Sequence, residues 1–119
     1  MVLVRNATRG VLLGAEIIVA GDSRTRRTGL LKHKGLGPGA GLWIVPCEAV
    51  HTFGMTFAID VVFLSRNKKI LKIRPDMMKR KIAICLRAHS VLELPAGTLL
   101  QTGTLPGDQL EFENNPTQA

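Results

Sequence analysis

The sequence predicts a mostly-β fold: a single-domain β-sandwich or partly open β-barrel with one short helix. Three observations lead there. About seven or eight short apolar stretches suit strands, and only one stretch suits a helix. Several stretches alternate apolar and polar residues with a period of two, as in Ile82 to Ala88. Glycine, proline and aspartate turn signals separate them. The length of 119 residues, 45% of them apolar, suits one core and one domain, placed at residues 1–113. Residues 114–119 are polar, lack an apolar anchor and read as a flexible C-terminal tail.

Met1 to Arg5 is short and apolar and forms the first expected strand. In Ala15 to Ala20, Ile17 and Val19 take one face and Ile18 the other. Asp22 or Ser23 can cap a helix over about Arg24 to His33, which Gly35 would end. Gly35 to Gly41 is a glycine-rich loop. Leu42 to Val45 is a strand stopped by Pro46. Phe57 to Leu64 is a buried strand, and Arg66 to Lys69 turns it into Ile70 to Ile73, making a hairpin. Strands follow at Ile82 to Ala88 and Val91 to Leu94, then a turn or a single helical turn over Ala96 to Thr102. Leu105-Pro106-Gly107-Asp108 fits a type II turn, with glycine where φ must be positive. In the last strand Leu110 and Phe112 point inward.

The net charge is +7, and its distribution is uneven. Residues 66–87 hold nine Lys and Arg against Asp76 alone, whereas residues 88–119 hold four acids and no Lys or Arg. A basic face of this kind suits weak, non-specific binding of an anion or nucleic acid through phosphates. With no tyrosine and only 4% aromatic residues, platforms for stacked bases are scarce. The stretch from Gly10 to Ala20 imitates a signal peptide, but Glu16 interrupts it, so it reads as part of the domain. No apolar run reaches the roughly 18 residues of a membrane span. Cys47 and Cys85 lie in apolar runs and suit buried thiols of a cytoplasmic protein; whether they pair is left open.

Three motifs in order give a resemblance over about residues 15 to 113. Gly41 to Leu64, which reads G-L-W-I-V-P-C-E-A-V-H-T-F-G-M-T-F-A-I-D-V-V-F-L, resembles the central signature of the uncharacterised ACR family, domain of unknown function 192. Arg26 followed by Gly29-Leu30-Leu31 resembles its helical motif. Val91-Leu92-Glu93-Leu94-Pro95-Ala96-Gly97, with Gly103 and Gly107-Asp108, resembles its C-terminal signature. Ala58 stands where that family has proline, and Arg74 to Arg87 is more basic than its pattern. The resemblance implies a compact β fold with little helix. It implies no activity, because the family's function is unassigned.

The candidate site residues are Arg26, Trp43, His51, Thr52, Asp60 and Glu93, because they are polar or aromatic residues within apolar motifs. Asp60 sits inside an apolar strand, and a buried charge requires partners. Those partners are expected among Arg26 or Arg27, His51, and backbone N–H groups of the glycine-rich loop. The leading function is a non-enzymatic binding or accessory module with an apolar cleft near Trp43, Phe53 and Met55, for a small ligand or a protein. The alternatives are the basic anion binder and an acid–base or metal-dependent enzyme using His51, Asp60 and Glu93. Cys47 with His51 could form a thiol–imidazole pair. No motif calls for a cofactor or a metal.

Overall fold

A computed structural model describes residues 1–21, 35–78 and 80–115. The expected helix over Arg24 to His33, and Arg26 with it, lie outside these residues. The elements are β1 (Val2–Asn6), β2 (Val11–Ala20), β3 (Ala40–Ile44), β4 (Ala49–His51), β5 (Ile59–Leu64), β6 (Ile70–Met77), β7 (Ile82–Ile84), β8 (Ser90–Pro95), α1 (Thr98–Thr102) and β9 (Leu110–Asn114).

Seven strands form one sheet in the order β6-β5-β8-β3-β2-β1-β9, and β4 pairs with β7 in a second, two-stranded sheet. Only β2 and β3 run parallel; the other pairs are antiparallel. The large sheet curls until its two edge strands meet at one end. There Lys69 bridges Gln109, the Ile70 N–H donates to the Asp108 carbonyl over 2.9 Å, and the Leu110 N–H donates to the Lys68 carbonyl over 3.0 Å. Beyond that point β6 and β9 diverge, so the mostly-β expectation resolves as a partly open barrel.

The period of two sorts the apolar residues into two clusters. Val62 and Leu64 of β5, Leu92 and Leu94 of β8, and Ile17 of β2 fill the barrel interior together with Val4, Ile70, Leu99 and Leu110. Val61, Phe63, Val91, Leu42 and Ile44 face the other way and are covered by Val50 and Ala83 of the small sheet and by Met55. The chain thus has a filled half-barrel and a second layer laid on its outer face.

The seam is tied by polar groups. The Asn6 amide donates to Asp108 Oδ2 (3.0 Å) and Thr104 Oγ1 (3.1 Å). Arg9 Nε donates to Asp108 Oδ2 over 2.6 Å, and the Leu105 N–H donates to the same oxygen. These bonds hold the Asp108 carboxyl down at about 2. Gly107 has φ 93, as the type II turn requires.

Several boundaries differ from expectation. β7 ends at Ile84 because Cys85 to Ala88 form a turn closed by the Ala88 N–H on the Cys85 carbonyl. The alternation beyond Ile84 therefore has no strand under it. β9 includes Asn114, one residue past the expected domain end, and Asn115 donates from its side chain to the Ala15 carbonyl over 2.6 Å. No disulfide joins Cys47 and Cys85.

Gly41 sits where the interior has no space for a side chain. A Cβ there would lie 2.6 Å from the Glu93 carbonyl oxygen and 2.8 Å from Ile17 Cδ1. Gly41→Ala is therefore expected to destabilise the fold by about 2 kcal/mol, through overpacking, in urea unfolding. An unchanged midpoint would show that β3 can shift away from β8.

Candidate functional site

Asp60 is fully buried, and its neighbours are backbone amides. Its Oδ1 accepts from the N–H of Asp76 (2.8 Å) and of Gly97 (3.3 Å), and its Oδ2 accepts from Leu99 N–H (2.8 Å). The expectation that a buried Asp60 must be partnered is met. The partners are not those of the glycine-rich loop, nor is His51 among them. They come from the end of β6 and the β8–α1 turn. Asp76 (φ 52) and Gly97 (φ 95) are left-handed, a conformation that costs a non-glycine residue about 1–2 kcal/mol. The carboxyl thus fixes two unusual backbone positions at once.

Glu93 is also buried, but on the other face. In the ladders Asp60 stands opposite Leu94, while Glu93 stands opposite Val61 and Leu42. Paired residues share a face, so Asp60 points into the barrel and Glu93 into the layer beneath β4 and β7. Glu93 Oε1 has no hydrogen-bond partner. Burial among Val61, Leu42 and their neighbours pushes the Glu93 carboxyl up from the usual 4.5 to about 7.

Trp43 packs on the barrel side. Its ring centroid lies 4.3 Å from that of Phe112, and Lys68 Nζ stands 5.4 Å above it. Met55 belongs to the opposite cluster. The expected cleft edged by Trp43, Phe53 and Met55 is therefore not formed, because the sheet runs between Trp43 and Met55. Thr52 is buried and clasps the turn before β7. Its hydroxyl donates to the Met78 carbonyl and accepts from the Lys81 N–H over 2.8 Å, and its own N–H donates to the Lys81 carbonyl over 2.9 Å.

His51 is exposed on the outer face of the small sheet, paired with Ile82, its ring 5.4 Å from that of Phe53. The predicted convergence of His51, Asp60 and Glu93 is thus overturned: two lie on opposite faces of one sheet and the third on the outside of another. Among the described residues, no group of three His, Cys, Asp or Glu side chains is placed to hold a metal ion. Cys47 does not pair with His51 either, since its thiol donates to the Ala49 carbonyl over 3.2 Å.

Sequence reading missed the outer face of the small sheet. Val50 and Ala83 point inward, which leaves Ala49, His51, Ile82 and Ile84 outward. Phe53, Met78 and Leu86 extend this surface, and the five large apolar side chains are between 46% and 76% exposed. Arg80, Lys81 and Arg87 are exposed beside them. Lys72 Nζ donates to the Ile84 carbonyl over 2.9 Å and stands 5.9 Å from the Phe63 ring, which places a further cation at the edge between the two layers, next to β7. The signal was present in the apolar residues of β7 set within the most basic segment of the chain. A groove of about 290 Å³ also opens at the barrel mouth, lined by Ile73, Pro75, Leu99, Leu100 and Leu105, with Gly103 and Thr104.

The sequence matches the family described as Uncharacterized ACR, domain of unknown function 192, over residues 4–112. The chain belongs to this family. Among curated proteins, none matches it. The fold is similar to that of a candidate transcription regulator from Sinorhizobium meliloti (TM-score 0.80, 24% identity, 93% of this chain and 91% of that one). It is also similar to a protein of unknown function from Novosphingobium aromaticivorans (TM-score 0.78, 19% identity, 92% of this chain and 82% of that one). Two of the motifs that resemble the Uncharacterized ACR family meet at Asp60, which lies in the central one and receives the Gly97 amide from the C-terminal one.

Two outcomes follow. Asp60→Ala leaves three amide donors unpaired and is expected to cost about 3 kcal/mol or more in urea unfolding, with Asp60→Asn losing less. For Glu93, the folded value lies above the unfolded one, so the native state holds the extra proton between about pH 4.5 and pH 7. Stability should fall as pH rises through that window, by on the order of 3 kcal/mol, and level off above it. Glu93→Gln should flatten this profile and unfold later than the parent at pH 8; parallel profiles would refute the assignment.

Proposed function

We propose that this chain is a non-enzymatic binding module that docks an anionic partner through the outer face of β4 and β7. One observation carries the reading: four large apolar side chains, Met78, Ile82, Ile84 and Leu86, project into solvent from the segment that also holds the densest positive charge, and Phe53 joins them from the partner strand's end. Exposed apolar clusters rimmed by charge mark interaction surfaces. Taking one such side chain fully out of water is worth about 1.5–3 kcal/mol, and the flanking cations steer and orient the encounter. The face needs no induced order, because the backbone ladder and the Thr52 clasp already hold it.

Two cysteines do not make the disulfide framework of a secreted domain, so we place the protein in the cytoplasm. Among the described residues, no helix is long and apolar enough to cross a membrane. A second reading keeps a small apolar ligand, seated in the barrel-mouth groove beside the highly exposed Leu100. One experiment separates the two. A photo-crosslinking side chain is installed in living cells in place of Ile84, Leu86, Leu100 or, as control, Leu12 on β2. Docking by the small sheet gives discrete adducts from positions 84 and 86 that are absent from position 12. Adducts from position 100 alone would move the site to the groove, and no adduct to either protein or lipid above the control at 84 or 86 would remove the docking face.

A further inference from the structure

We infer that the partner of the β4–β7 face is an anionic lipid surface, into which the ridge inserts while its flanking cations meet headgroup phosphates. The inference rests on the docking-face reading and names its partner class.

Shape and charge both favour it. Ile82 and Ile84 stand side by side on the outward face of one strand, with Phe53 against the His51 ring beside them. Met78 directly follows β6 and Leu86 lies just past β7; both project into solvent, Leu86 with 76% of its surface exposed. These are knobs. A bilayer accepts knobs in its ordinary interface, whereas a protein would have to present a hydrocarbon-lined groove ringed with acids. Nucleic acid offers phosphates to the cations but no hydrocarbon to the ridge.

The cations sit where such insertion needs them. Arg80 and Lys81 precede β7, Arg87 follows Leu86, and Lys72 is held against the Ile84 carbonyl. Glu48 and Asp76 are the acids on the adjoining segments, so the surroundings of the ridge keep a positive excess. Long basic side chains can lie along the apolar surface and extend their charges to headgroup level.

The test is co-sedimentation of the full chain with vesicles of phosphatidylcholine alone and with about one-third phosphatidylglycerol, at low and physiological salt. The inference expects partitioning at least about tenfold stronger onto the anionic vesicles. It expects losses of about tenfold or more in each of two variants, I82S/I84S/L86S and R80Q/K81Q/R87Q. All six positions are exposed, and circular dichroism checks that the fold survives. Full binding by the serine variant would reduce the effect to charge adsorption and overturn the inference. So would equally tight binding to duplex DNA that the serine variant retains. Absent vesicle binding alongside protein adducts from positions 84 and 86 would overturn the lipid partner and leave the docking face standing. Absent binding and absent adducts would end both.

Discussion

Three backbone N–H groups converge on the Asp60 carboxyl, and they come from two segments that no sheet ladder joins. A carboxyl drawn into an apolar interior is costly unless its oxygens are saturated. Here the saturating groups are themselves amides at turns, where ladder partners are lacking. The need is mutual. Asp60 holds the bent end of β6 and the entry to α1 in one arrangement, and those turns keep Asp60 from being an orphan. The mouth of the barrel, with its apolar groove, is shaped by this knot.

The second governing constraint is the two-fold alternation of a strand. One sheet separates two apolar compartments, and each polar residue on it is assigned to a side by register. Asp60 and Glu93 are on neighbouring strands and in adjacent ladder pairs, yet chemically they are strangers. One is fully bonded within the barrel. The other is a lone acid under the second layer, raised toward neutrality by the hydrocarbon around it. Chemistry that needs both carboxyls in one place is ruled out by geometry.

Much of this was legible in the residues. The continuous apolar run of Phe57 to Leu64, the period of two around Leu110, the Pro106-Gly107 turn and the buried state of Asp60 all follow from local pattern. Where Asp60 finds its partners does not, because Asp76, Gly97 and Leu99 are far along the chain and become neighbours only when β5 pairs with both β6 and β8. The separation of Trp43 from Met55 was likewise hidden: both lie in apolar motifs, and only strand pairing decides which side each one faces. β4 was invisible since three residues, Ala49 to His51, are too few for any periodicity to register. Without it, the alternation of β7 does not say which of its faces meets solvent, and the isoleucines take the exposed side of a ribbon.

The pairing of β1 with β9 has a consequence for how the molecule comes into being. Val4 lies opposite Phe112, so β1 must wait for β9 before its outer edge is satisfied. Contacts this distant along the chain slow folding, because a large loop must be closed before they form. During synthesis the nascent N-terminal strand pair leaves the ribosome with one flank bare, and the barrel seam at Asp108 cannot be sewn until the C-terminal strand has emerged.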